Sequence, residues 1–247
     1  MSGGAAVIAV TSLSLEARIA LGPGVSVLCD QASRLVASLE AAIEPGALGI
    51  ISFGIAGGLA PHLGAGDWVI GSRVRAGEEF LPVDARWARR LLNVLPGSVH
   101  AEIVGVDSPV ALSSDKRRLH DQTGAVAVDM ESHIAGRIAA SHKIPFAVCR
   151  TVIDAAHTDL PPAALVGLGP GGRPDISAVS RSVLRQPGQL PALARTAIDA
   201  WVARQALRSG RELLGAGLGC PYFNEPATDK PVATKELGTA HLHSAGS

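Results

Sequence analysis

The sequence predicts an α/β fold: a three-layer sandwich in which a mixed, mostly parallel central sheet carries helices on both faces. Three observations predict it. Ala5–Val10 is a continuous apolar run, and Leu48–Phe53 and Pro145–Ile153 are mostly apolar runs of strand length, the pattern of strands buried on both faces. The segments between such runs have apolar residues at helical spacing, so strands alternate with helices, as crossover-connected parallel strands require. Apolar residues make up 47% of the 247-residue chain and aromatics only 3%, so a large core must be built from Ala, Val, Leu and Ile.

The elements follow in order. After the first strand, Ser12 or Ser14 caps a short helix that runs through Ala20 and carries Glu16. Val25–Cys29 reads as a strand, and 31–43 as a helix stopped by Pro45-Gly46. Leu48–Phe53 runs into the loop Gly54-Ile-Ala-Gly-Gly58. Asp67–Arg75 alternates as a strand; Ala85–Leu95 is an amphipathic helix ended by Pro96-Gly97; His100–Val106 is a strand. Ser114–Gln122 is a charged helix capped by Ser113 or Ser114. Ala125–Val128 is a short strand leading into a helix over Asp129–His142, followed by the strand Pro145–Ile153. Leu160–Pro174 reads as a long Pro- and Gly-rich loop, Asp175–Leu184 and Leu190–Arg208 as helices. Residues 1–212 form one domain, and 213–247, mixed Gly, Pro, Ser and Thr, a flexible C-terminal tail.

Composition narrows the function classes. Lys plus Arg and Asp plus Glu number 22 each, so the basic excess of a nucleic-acid surface is lacking. No apolar window reaches membrane-spanning length, and Ala5–Val10 is too short for a secretion signal. The three cysteines are too few and too scattered for a disulfide framework; Cys29 and Cys149 read as small buried thiols, and a reducing cytoplasm is the expected compartment. His133, His142 and His157 lack metal-ligand spacing, so no metal is expected, and G-x-S-x-G is missing.

In open parallel sheets ligands gather beyond the carboxyl ends of strands, which points to Glu16, Gly54–Gly58, Asp129–Glu131 and Asp154. The glycine loop is either a tight turn or a place where backbone approaches a ligand. Asp129 is either an N-cap or a site residue. Glu131 is a carboxylate able to accept two hydrogen bonds from a vicinal diol such as that of ribose. Arg150, charged within an apolar strand, needs a partner; Asp154 is either that partner or an acid placed to protonate a leaving group.

Gly54–Pro61 followed by Gly66-Asp67-Trp-Val-Ile70, Val128-Asp-Met-Glu131 and Arg150-Thr-Val-Ile-Asp154 together resemble the purine nucleoside phosphorylase superfamily, over roughly residues 5–156. The pattern is similar to that of the methylthioadenosine/S-adenosylhomocysteine nucleosidases. Glu16-Ala-Arg-Ile-Ala20, Pro161-Pro-Ala-Ala-Leu165 and Arg185-Gln-Pro-Gly-Gln-Leu-Pro191 look like the hopanoid-associated phosphorylases. The resemblance implies a nucleoside phosphorylase-like domain and an enzyme that releases adenine from adenosylhopane, giving ribosylhopane or phosphoribosylhopane. The alternatives are a nucleosidase acting on a small 5′-thioadenosine and a non-catalytic nucleoside-binding protein.

Carried over onto this sequence, the resemblance makes Asp154 and Glu16 catalytic, the first at purine N7 and the second orienting the attacking water. It gives Glu131 the ribose diol and Met130 the sugar face, with Arg150 beside the acid and Ala56, Gly57 and Gly58 lining the pocket. Ile55 and Ile153 stand where the nucleosidases carry Ser, which makes a greasier pocket. No cofactor is implied, with inorganic phosphate a co-substrate if phosphate rather than water attacks. The implied partners are a purine nucleoside with an apolar 5′ group, a second copy of the chain in a homodimer, and a membrane surface touched peripherally.

Overall fold

The computed structural model describes residues 6–30, 32–43, 46–166, 168–169 and 173–223. Strands β1 (Val7–Thr11), β2 (Val25–Cys29) and β3 (Gly49–Gly58) pair in parallel at one side of an eight-stranded sheet. β4 (Trp68–Ala76), β5 (Glu79–Pro82), β6 (Val99–Gly105), β7 (Ala127–Asp129) and β8 (Phe146–Asp154) complete it. β8 runs parallel to β3 and antiparallel to β4, while β7 joins β3 to β6 and β6 joins β4. Five strands, β3, β8, β4, β6 and β7, therefore close a ring, and β1 and β2 extend the sheet from β3. The sheet is mixed and mostly parallel, as expected.

Helices cover both faces. α1 (Ser14–Ala20), α3 (Ala85–Val94) and α8 (Leu190–Leu214) bury Ala20, Trp87, Leu91, Leu207 and Leu214 against Val7, Ile51, Phe53 and Ile70. α2 (Ala32–Ile43) and α5 (Ser132–His142) bury Leu35, Leu39, Ile134 and Ile138 against Ile8, Ile50, Val148 and Val152. Leu119 of α4 (Ser113–Thr123) packs on a third cluster of Leu59, Val104, Ala125 and Val128. With so few aromatics, these branched aliphatic contacts supply most of the apolar area that stabilises the fold.

Several boundaries differ from the sequence reading, each for a visible reason. The Gly54–Gly58 segment is not a loop: β3 continues through it, hydrogen-bonded to β8. Between Ala56 and Gly57 the register slips, so that Val152 faces Ala56 but Asp154 faces Gly57. That is the signature of a bulge on β8, which re-aims the following side chain. α5 starts at Ser132 rather than Asp129, because the Asp129 carboxylate accepts from the Ser132 backbone N–H at 3.0 Å. Ser113 is the first residue of α4 and not its cap; Asp159 accepts from its N–H instead. The 160–174 segment contains α6 (Pro162–Leu165) and a two-residue hairpin of β9 (Leu168–Gly169) and β10 (Arg173–Pro174). α7 (Ile176–Arg185) is capped by Asp175, and Cys29 is half-buried rather than buried.

The stretch up to Phe223, expected to belong to a flexible tail, packs against the body. Leu218 and Cys220 are buried, the Trp87 indole N–H donates to the Leu218 carbonyl at 3.1 Å, and the Tyr222 hydroxyl donates to Asp84 at 2.8 Å. Its Gly and Pro residues shape tight turns over α3, with positive φ at Gly215, Gly217 and Gly219. Residues 224–247 of the expected tail lie outside the described residues. Among the described residues no helix is long and apolar enough to cross a membrane.

Candidate active site

The site is built where β3, β7 and β8 meet the starts of α1 and α5. Arg150 of β8 is fully buried and its hydrogen bonds are taken up by protein. Its Nε donates to Asp129 (2.8 Å), and its Nη2 to Glu131 (3.0 Å) and the Ser52 hydroxyl (2.6 Å). Nη1 reaches the Ile55 carbonyl at 3.3 Å. Ser132 donates to Asp129 and lies 2.9 Å from Ser52 Oγ. One buried cation thus holds two carboxylates from the β7–α5 junction, which makes the pairing energetically tolerable in a water-poor place. Arg150 does not bond Asp154.

Glu16, also buried, holds the neighbouring backbone in place. Its Oε1 accepts from the Ile55 N–H at 2.7 Å; its Oε2 accepts from the N–H groups of Leu13 (2.8 Å) and Ser12 (3.0 Å). The reason for glycine at position 54 is here. Gly54 has φ of +152°, and a Cβ on it would stand 2.5 Å from Glu16 Oε1 and 2.9 Å from Arg150 Nη1. Only a residue without a side chain lets both charges converge on β3.

Asp154 has a different partner. Lys116 of α4, completely buried, donates to the Asp154 carboxylate and to the carbonyls of Ala155 (3.0 Å) and Thr158 (2.9 Å). Burial pushes the Asp154 carboxyl above its ordinary value; Lys116 pulls the other way, and Asp199 of α8 adds to the rise. Burial likewise pushes Glu131 up to about 7, against the pull of Arg150 and with the help of Asp129 and Glu16.

Both carboxyls open on one cavity of about 190 Å³. Of the residues expected at the site, Ala56, Gly57, Met130, Glu131 and Asp154 line it. Gly58 does not: it faces the Asp154 carbonyl, 3.0 Å from where its Cβ would be, behind the wall. Arg150 and Glu16 also stand behind the wall, one organising the carboxylates and the other the Ser12–Leu13 and Ile55 backbone that lines it. Ile55, Ile153, Val106, Val110 and Leu160 make much of the remainder apolar.

Lys116 is the residue that the sequence did not disclose. It lies in Ser-Ser-Asp-Lys-Arg-Arg118, where three cations in a row look alike, and only the fold turns one inward. Ser52 and Ser132 were equally silent. Among the described residues no group of three His, Cys, Asp or Glu is placed to hold a metal ion.

A family model described as the Phosphorylase superfamily matches residues 6–166, which span every residue of this site. The chain belongs to that superfamily. Among solved structures, this superfamily member is similar to the 5′-methylthioadenosine/S-adenosylhomocysteine nucleosidase of Helicobacter pylori, with a TM-score of 0.59 and 12% identity over 85% of this chain and 99% of that one. Futalosine hydrolase of Helicobacter pylori aligns over 85% of this chain and 95% of its own, with a TM-score of 0.59 and 12% identity. The S-adenosylhomocysteine nucleosidase of Streptococcus pyogenes gives a TM-score of 0.56 and 15% identity over 84% and 98% of the two chains. At these identities the likeness is one of fold. No curated protein sequence matches the chain.

Proposed function

We propose that this superfamily member hydrolyses the N-glycosidic bond of an adenine nucleoside with an apolar 5′ substituent, with Asp154 as the acid at the base and Glu131 as the carboxylate at the sugar. The single observation that carries the reading is that these two carboxyls, 23 residues apart in sequence, face one apolar-walled cavity. Breaking a ribosyl–purine bond builds positive charge on the sugar and negative charge on the base. A carboxylate beside the ribose hydroxyls stabilises the first, and a proton delivered to the purine relieves the second.

Water is the nucleophile that the charges favour. The lining includes Asp129, Glu131 and Asp154 but no Lys or Arg among the described residues, so phosphate would meet like charge. Glu16 serves the attack from behind the wall, by fixing the Ser12–Leu13 and Ile55 backbone that lines the cavity. The outcome to expect is free ribosyl product with or without phosphate in the buffer.

Adenosylhopane is the substrate that the sequence resemblance implies. The cavity is smaller than the roughly 300–1,000 Å³ of sites that swallow a drug-sized ligand, so a large 5′ group would extend beyond it into solvent. A small thioadenosine is the second reading, favoured by that same volume and by the relatives named above. Exposed Ile176 and Leu184 on α7 and Ile198 and Trp201 on α8 offer apolar surface to a second copy in a homodimer or to a membrane. The test is mass-spectrometric detection of free adenine from adenosylhopane and methylthioadenosine. Asp154→Asn should lose about 10²–10⁴-fold in adenine release, while near-normal release by that variant overturns the reading.

A further inference from the structure

α4 is a surface helix. Asp115 is partly exposed, Arg117 and Arg118 are exposed, and Leu119 one turn on supplies its apolar contact. Lys116 alone among its charges is turned inward and has no solvent exposure. Burying an ammonium has a penalty of several kcal/mol, and a Leu or Met would pack this helix equally well. The lysine is therefore explained by what it touches. Its three hydrogens go to the Asp154 carboxylate, the Ala155 carbonyl and the Thr158 carbonyl, which exhausts its donors. An ammonium held in that way favours the ionised form of Asp154, against the burial that favours the protonated one. The proposed reaction, however, needs a proton at the departing purine.

We propose that Lys116 and Asp154 form a proton-holding dyad, in which the lysine is the store and the aspartate the outlet toward the purine. This rests on the reading of Asp154 given above. The dyad carries one proton, at rest on Nζ and in its minor form on the carboxyl. As the C1′–N9 bond breaks, its electron pair moves onto the purine, and the carboxyl proton passes to the ring nitrogen. Lys116 is left as an amine hydrogen-bonded to the carboxylate. Water oxygen bonds to C1′ and gives up one proton to solvent, and solvent returns one proton to the dyad. The charged groups around the dyad are Asp199 from α8 and Asp159 from the loop after β8, and both favour the protonated pair.

The experiment compares Lys116→Met, Lys116→Arg and Asp154→Asn on methylthioadenosine and on p-nitrophenyl β-D-ribofuranoside, whose phenolate leaves without a proton. Arginine keeps the charge but cannot surrender a proton, so Lys116→Arg should lose about 10²-fold or more on the adenine nucleoside at every pH. On the nitrophenyl riboside the loss should be at least about tenfold smaller than on the adenine nucleoside, since general-acid help is not needed there. Lys116→Met should fail at about pH 8 and recover relative to wild type toward acid, where solvent loads the buried carboxyl directly. A purely packing role predicts a mild arginine variant and equal losses on both substrates, and either result overturns the dyad. If the variants do not fold, the wild-type profile decides. The dyad predicts adenine release that persists above about pH 8, whereas a fall in adenine release before about pH 8, at pH values where the nitrophenyl rate is still rising or level, overturns it. Wild-type adenine release by Asp154→Asn sinks the nucleosidase reading itself.

Discussion

Arg150 Nη2 donates to Glu131 Oε2 across 3.0 Å, and this bond ties the strand that ends in Asp154 to the start of α5, where Glu131 faces the cavity. Removing the guanidinium leaves Asp129 and Glu131 buried without a counter-charge. Arg150→Met should therefore lower the unfolding free energy by about 3–5 kcal/mol, measured by denaturant titration. An unchanged midpoint would mean that the carboxylates find another partner.

Glu131 gives stability a pH dependence of defined sign. Its folded pKa is raised to about 7 from an ordinary 4.5, so the native state binds this proton more tightly than the unfolded chain. The contribution is fully present below 4.5 and is lost as pH rises through about 7. Wild type should lose stability relative to Glu131→Gln between about pH 5 and pH 8, in paired urea titrations. In activity, the acid limb of kcat/KM should sit near 7, where Glu131 gains its charge, and vanish in Glu131→Gln.

Two glycines of β3 separate geometry from space. Gly54→Ala places a methyl against Glu16 and Arg150 at a positive φ. It should cost about 1–3 kcal/mol or more and most of the activity. Gly57 has ordinary φ, and its Cβ would lie 3.2 Å from Val128 and 3.6 Å from Asp154 Oδ1. Gly57→Ala should keep the thermal midpoint and raise KM by narrowing the cavity beside the acid. Equal behaviour of the two variants in melting and kinetics would contradict this division.

The C-terminal cover can be tested by truncation. Ending the chain after Leu214 uncovers Trp87 and removes its bond to Leu218. That variant should melt below one ending after Phe223. Trp87→Phe in the full chain should lose about 1–3 kcal/mol, since it leaves the buried Leu218 carbonyl unsatisfied.

Much of the fold was legible because the signals are one-dimensional. Apolar runs gave β1, β3 and β8, and 3.6-residue spacing gave α2, α3 and α5 with only end-point errors. The carboxylates at strand ends were legible for the same reason, since chemistry in such sheets collects there. Illegible features depend on what a residue meets across the fold. Nothing along the chain marks Lys116 as inward, because α4 presents charge on nearly every side. The partner of Arg150 could not be read either: Asp154 was the candidate along the strand, whereas Asp129 and Glu131 reach Arg150 because β7 and β8 both pair with β3. The glycines looked like a loop, because a strand that gives up its side chains to admit two charges has the composition of a turn.

The slip between Ala56 and Gly57 makes the reach of Asp154 a matter of odd and even. Side chains on a strand alternate between its two sides, and one surplus residue at Ile153 changes the side on which everything after it emerges. A deletion of a single aliphatic residue there would turn the carboxyl away from the cavity while leaving every polar residue of the site in the sequence. Relatives that have lost activity should then be sought by counting residues between Arg150 and its following Asp, not by asking whether the acid is still present.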